Sequence, residues 1–151
     1  MSHDHIDAVK SCLDPEERRG VDVIVNISNP VFEYILENNA SRLTEFFASG
    51  AFECINLQEF DACFYDDPTS SQSTEAIFNL TSDEPDLSKF AVDLRTCTTF
   101  ETTKKCVIEV FDGCSLKRPS NFVRSVLDIA MAHSGCEAIL EAHSAQATNQ
   151  L

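Results

Sequence analysis

The chain has 151 residues, 43% of them hydrophobic, with 25 acidic residues against 11 basic ones and a formal net charge of −14. That length suits one domain with a true core, and the aliphatic and aromatic content is that of a globular protein. The acidity argues against nucleic acid and anionic membrane as partners, and no run of about 18 apolar residues offers a membrane span.

Residues 1–11 read as a flexible arm. Its His3 and His5 are loose terminal histidines, which rarely form a site, so no metal is assigned to them. Asp14-Pro15-Glu16-Glu17 is a helix start: a capping Asp, Pro at the first position and acids beside the positive end of the dipole. Val21, Ile24, Val25 and Ser28 share one helix face and Val23 and Ile27 another, which predicts a central, buried helix. Asn29-Pro30 predicts a kink or break in it. Asn38-Asn39-Ala40-Ser41 is a turn. Arg42 to Ser49 is a short helix showing Leu43, Phe46 and Phe47 and ended by Gly50. Cys54 to Tyr65 is another.

Residues 66–75 lack apolar side chains fit for a core and read as a mobile loop. Beyond them, Phe100, Thr103, Val107, Val110, Phe111 and Cys114 fall three or four apart and predict an amphipathic helix. Thr98 or Thr99 would cap it and Gly113, in a left-handed conformation, would stop it. Pro119 opens a second helix, capped by Ser120 or Asn121, whose stripe is Phe122 or Val123, Val126, Leu127, Ala130 and Met131. Residues 137–142 extend a further helix, and 143–151 form a polar tail. The expectation is an all-α fold: a disulfide-stapled bundle of about five to seven short helices, with one domain over 12–142.

Seven cysteines are present: Cys12, Cys54, Cys63, Cys97, Cys106, Cys114 and Cys136. Three bridges and one leftover thiol leave the connectivity open on spacing alone. Asn-x-Ser/Thr sequons stand at Asn26, Asn39 and Asn79. Cysteines and sequons together favour an oxidising, secretory route. The polar start, Met1-Ser-His-Asp-His, carries no signal peptide, so the expectation is a secreted chain seen in mature or truncated form.

Catalytic motifs are missing. There is no Gly-x-Ser-x-Gly elbow, no Walker loop and no dinucleotide fingerprint, so no catalytic residue and no cofactor is assigned. His133 and Cys136 resemble half a zinc site without a second pair, so no metal is assigned there either. Phe46, Phe47, Phe60, Phe64, Phe100 and Phe111 are candidate walls of an apolar pocket, since helical bundles can enclose one.

The stretches Cys12-Leu-Asp-Pro-Glu-Glu-Arg-Arg, Val21 to Ser28, Ala51-Phe-Glu-Cys54, Lys105-Cys106-Val-Ile-Glu-Val-Phe-Asp-Gly-Cys114 and Pro119-Ser-Asn-Phe-Val-Arg-Ser-Val-Leu carry a family likeness. Over about residues 8–136 the chain resembles the C-terminal part of the insect 27 kDa haemolymph glycoprotein family. It lacks the N-terminal half of that pattern. A family cysteine stands here as Leu36, and the Thr-Pro before the last cysteine is Ser134-Gly135. The resemblance implies a secreted, mostly helical, disulfide-bonded glycoprotein. It also implies that the lost cysteine's partner is the free thiol, for which Cys54 is chosen. Cys12, Cys63, Cys97, Cys106, Cys114 and Cys136 then form the bridges.

The functional expectation is a non-enzymatic glycoprotein that carries a small hydrophobic ligand. The alternative is an extracellular interaction or defence protein with no internal ligand.

Overall fold

A computed structural model describes residues 8–65 and 92–148. Six helices follow one another in these residues: α1 Pro15–Ala48, α2 Ala51–Cys54, α3 Leu57–Tyr65, α4 Leu94–Asp112, α5 Arg118–Ser134 and α6 Cys136–Thr148. The fold class is all-α, as expected. Asn79, the expected loop 66–75, and His3 and His5 lie outside the described residues.

Asp14 starts α1 as the sequence demands. Its carboxylate accepts from the Glu16 and Glu17 amides at 2.8 and 2.9 Å, and Glu17 accepts in return from the Asp14 amide at 3.0 Å. This reciprocal pair satisfies donors that have no partner inside the helix. The expected arm is in part structured, because residues 8–11 form a helical turn that Lys10 ties to Asp22 on α1.

Pro30 lies within α1, and the break comes later than expected: Glu37 is extended, and Asn38, Asn39 and Ala40 all have positive φ. Such angles are costly for residues with a Cβ, least so for Asn. Arg42 braces the turn from its far side. It pairs with Glu37, donates to the Tyr34 carbonyl at 3.0 Å, and stacks its guanidinium 4.3 Å from the Tyr34 ring centre. The Val21–Ser28 stretch is half-exposed, not central; in α1 only Gly20 and Phe46 are buried. The core sits elsewhere because α4 and α5 supply most of it.

Helix α4 begins at Leu94, ahead of the expected threonines. Asp93 caps it, accepting from the Thr96 amide at 2.7 Å, while the Thr98 hydroxyl donates back to the Leu94 carbonyl. Gly113 ends it in a right-handed conformation, not a left-handed one. The left-handed glycines are Gly50, between α1 and α2, and Gly135, between α5 and α6. Ser120 and Asn121 do not cap α5, whose first turn has no side-chain cap; Ser120 donates instead to Asp112, closing the corner with α4. Helix α6 runs on to Thr148, so the described part of the expected tail is helical.

Two apolar clusters flank α4. Phe46, Ala51, Val107 and Phe111 form one, with Ile55, Phe60, Phe64, Phe122, Val123 and Leu127 against them. Cys97, Met131 and Cys136 form the other, with Val92, Phe100, Ile139 and Leu140. Cys97 and Cys106 are nine residues apart, or about two and a half helical turns, so they leave α4 on opposite sides.

Candidate functional site

Helix α4 is the spine of the disulfide framework. Cys54 at the end of α2 bonds to Cys114 just beyond α4, with Cα atoms 5.3 Å apart. Cys63 of α3 bonds to Cys106 at 5.6 Å, and Cys97 bonds to Cys136, the first residue of α6, at 5.1 Å. All three spacings suit unstrained bridging.

Two expectations are corrected here. Cys54 is bonded, and the free thiol is Cys12, which is exposed. The turn at Asn38–Ala40 does not bring Cys54 to Leu36. Gly50 swings α2 toward the end of α4, where Cys114 waits, while Leu36 stays 58% exposed. Cys12 lies ahead of the α1 cap, its sulfur 3.8 Å from the Ala8 carbonyl.

The six candidate phenylalanines do not enclose one space. Phe46, Phe60, Phe64 and Phe111 interlock: Phe46 to Phe111 at 6.1 Å between ring centres, Phe60 to Phe111 at 6.2 Å, Phe60 to Phe64 at 5.2 Å. Phe122 of α5 closes on Phe46 at 4.7 Å. These are the separations of packed aromatic pairs. Phe100 belongs to the second cluster, across α4. Phe47 faces outward and is 55% exposed.

Outside the core, Phe47 meets a residue the sequence reading passed over. Phe52 of α2 is 56% exposed, and the two rings lie 5.8 Å apart. Both also touch Phe46, at 5.6 and 5.7 Å, so three rings form a triangle with one buried corner and two wet ones. Its sequence signal was the left-handed Gly50, which reverses the chain and brings residues 47 and 52 side by side. This aromatic surface is the candidate functional site.

Among the described residues, the two carboxyl groups whose acidity is altered serve helix ends. Hydrogen bonds from the Thr96 amide and hydroxyl hold Asp93 below the usual carboxylate range. The Ser120 hydroxyl does the same for Asp112, helped by Arg124 and Lys117. His133 and His143 are exposed, and among the described residues no group of three His, Cys, Asp or Glu side chains could hold a metal ion. No helix among the described residues is long and apolar enough to cross a membrane. The sequon residues Asn26 and Asn39 are both exposed, the first mid-helix in α1, the second in the left-handed turn.

The family model described as "Protein of unknown function (DUF1397)" matches residues 2–136. The chain belongs to that family. Among DUF1397 relatives, a 27 kDa glycoprotein of Bombyx mori is 20% identical over 137 residues, covering 89% of this chain and 56% of the relative. A 27 kDa hemolymph glycoprotein of Manduca sexta is 22% identical over 135 residues, covering 88% of this chain and 53% of the relative. The chain thus spans about half the length of these relatives. No solved structure matches it significantly.

Proposed function

We propose that this chain is a secreted, non-enzymatic, haemolymph-type glycoprotein that recognises another extracellular macromolecule through its surface. Secretion and glycosylation are supported by the names of its DUF1397 relatives, by three disulfides, and by the rule that such bridges persist in oxidising compartments. Exposed sequons at Asn26 and Asn39 agree with both.

The carrying observation is where the rings go. An internal apolar ligand needed six phenylalanines around one space. Four of them are packed ring on ring, one lies across α4, and Phe47 is outside beside Phe52. Apolar capacity is therefore spent on packing within and on display without, which suits recognition better than carriage.

Native mass spectrometry on protein secreted from insect cells tests this. The expected native mass is the chain less six hydrogens, plus glycans, unchanged in composition on denaturation. An apolar molecule that leaves on denaturation would overturn the reading in favour of a carrier.

A further inference from the structure

The break in α1 divides the fold into an arm and a body, and only the body is stapled. All six bridged cysteines lie between Cys54 and Cys136, while residues 8–36 hold only the free Cys12. The ion pairs Lys10–Asp22 and Arg19–Glu16 are internal to this arm. Gly20 is its one buried residue, and Phe32 and Leu36 are each 58% exposed. Helix α1 packs chiefly on α5, where Tyr34 of the arm meets Phe122 at 6.1 Å between ring centres.

The connection between arm and body is short and strained. Asn38, Asn39 and Ala40 follow one another at φ 54°, 58° and 58°. A Cβ makes each angle costly, and such residues ordinarily occur singly. Turning these three and Glu37 right-handed makes α1 unbroken from Pro15 to Ala48 and removes the cost. Arg42 opposes this, because its contacts with Glu37 and Tyr34 exist only in the bent form. In a continuous helix Arg42 and Tyr34 stand about 12 Å apart along the axis.

Straightening also decides where the arm can go. Tyr34 and Phe46 both touch Phe122 in the bent form, at 6.1 and 4.7 Å. In a straight helix these two residues lie about 18 Å apart along the axis, too far to share one ring. Phe46 is buried in the core beside Phe111, so Tyr34 is the one to leave. The α5 surface it vacates is then open to the arm of another copy.

We infer that Glu37–Ala40 is an exchange hinge, through which two copies trade arms, each seating residues 8–36 on α5 of the other. The exchanged contact is the one already made within a single chain, so no new complementary surface is needed, and closed two-fold symmetry ends assembly at two. Short hinges under strain favour such exchange. The net charge of −14 on each copy opposes it, so salt promotes it.

The test is size exclusion with light scattering on the full chain, held at high protein concentration just below its melting midpoint and then cooled. A dimer is expected that grows with salt and dissociates slowly on dilution, since reversal requires the hinge to open again. Ala40→Gly should lower the dimerisation constant by about tenfold or more, because glycine removes the left-handed cost in the monomer and weakens the straight helix. Arg42→Ala should raise it by about tenfold, because the bent form loses an ion pair and a stacked ring. No dimer in either the wild type or Arg42→Ala overturns the inference. A dimerisation constant unchanged or raised by Ala40→Gly overturns it in favour of contact between exposed faces. A dimer lost in Cys12→Ser overturns it in favour of a bridge between two free thiols. Should Arg42→Ala fail to fold, Ala40→Gly decides alone, because it relieves strain in the monomer.

Discussion

Ser120, 1% exposed at the start of α5, donates its hydroxyl to the carboxylate of Asp112 at the end of α4. Arg124 reaches the other oxygen of that carboxylate at 3.1 Å, and Lys117 bonds the Asp112 backbone carbonyl at 2.7 Å. One side chain thus sets the corner between the two principal helices.

Replacing Asp112 with Ala should lower the melting temperature at neutral pH by about 3–6 °C, a modest fraction of stability for a domain of this size. The pH dependence has a definite sign. The folded carboxyl is more acidic than the unfolded one, so its contribution is fully present above the unfolded value, near 3.8, and is lost as pH falls through the folded one. Melting curves for both proteins should differ most at pH 6–7 and converge in acid; a gap that stays constant down to pH 2 would rule out the ionic role.

Adjacent phenylalanines should behave oppositely. Phe46→Ala empties a buried site, 7% exposed, that four other rings touch, and should cost about 3–5 kcal/mol in denaturant unfolding. Phe47→Ala, on the surface, should stay within about 0.5 kcal/mol. Equal losses would mean that the outward ring belongs to the core.

Thiol chemistry should report one reactive group in the native protein, at Cys12. Peptide mapping after alkylation locates it. Replacing the buried pair Cys97 and Cys136 with Ser should cost about 2–5 kcal/mol, the usual loss for a native bridge. Labelling at Cys54 in the native state would contradict the framework.

Ala40→Gly should stabilise the protein by about 0.5–1 kcal/mol, because Ala at φ 58° sits where only glycine is free of steric cost. The sequon at Asn39 survives this change, so glycan occupancy and stability can be read on one variant. A destabilised product would mean that the turn is not left-handed in solution.

These residues also show what was readable beforehand. Asp14-Pro15 with two following acids specifies its own helix start, since every partner lies within one turn. The stripe on α4 was half legible: Val107 and Phe111 lay on it, while Ile108 is buried off it. Asp93 went unnoticed as a cap because the threonines downstream offer the same chemistry, and only the structure shows that the Thr98 hydroxyl bonds backward along the helix. Cys54 and Cys12 were exchanged for a similar reason. Cysteine pairing is a matter of distance between elements, and the reversal at Gly50 that sets it is a single backbone angle. Phe52 was missed because its meaning lies wholly in that reversal.

Every bridge has one end on or just past α4. During synthesis, therefore, Cys12, Cys54 and Cys63 emerge with no correct partner among them. Any bond formed among these three in that interval is wrong and must be reopened by thiol exchange before the native set can close. Maturation waits on the emergence of Cys97, Cys106 and Cys114, and the last bridge waits on Cys136. The yield of correctly bonded protein should accordingly be governed by disulfide isomerase supply more than by oxidant.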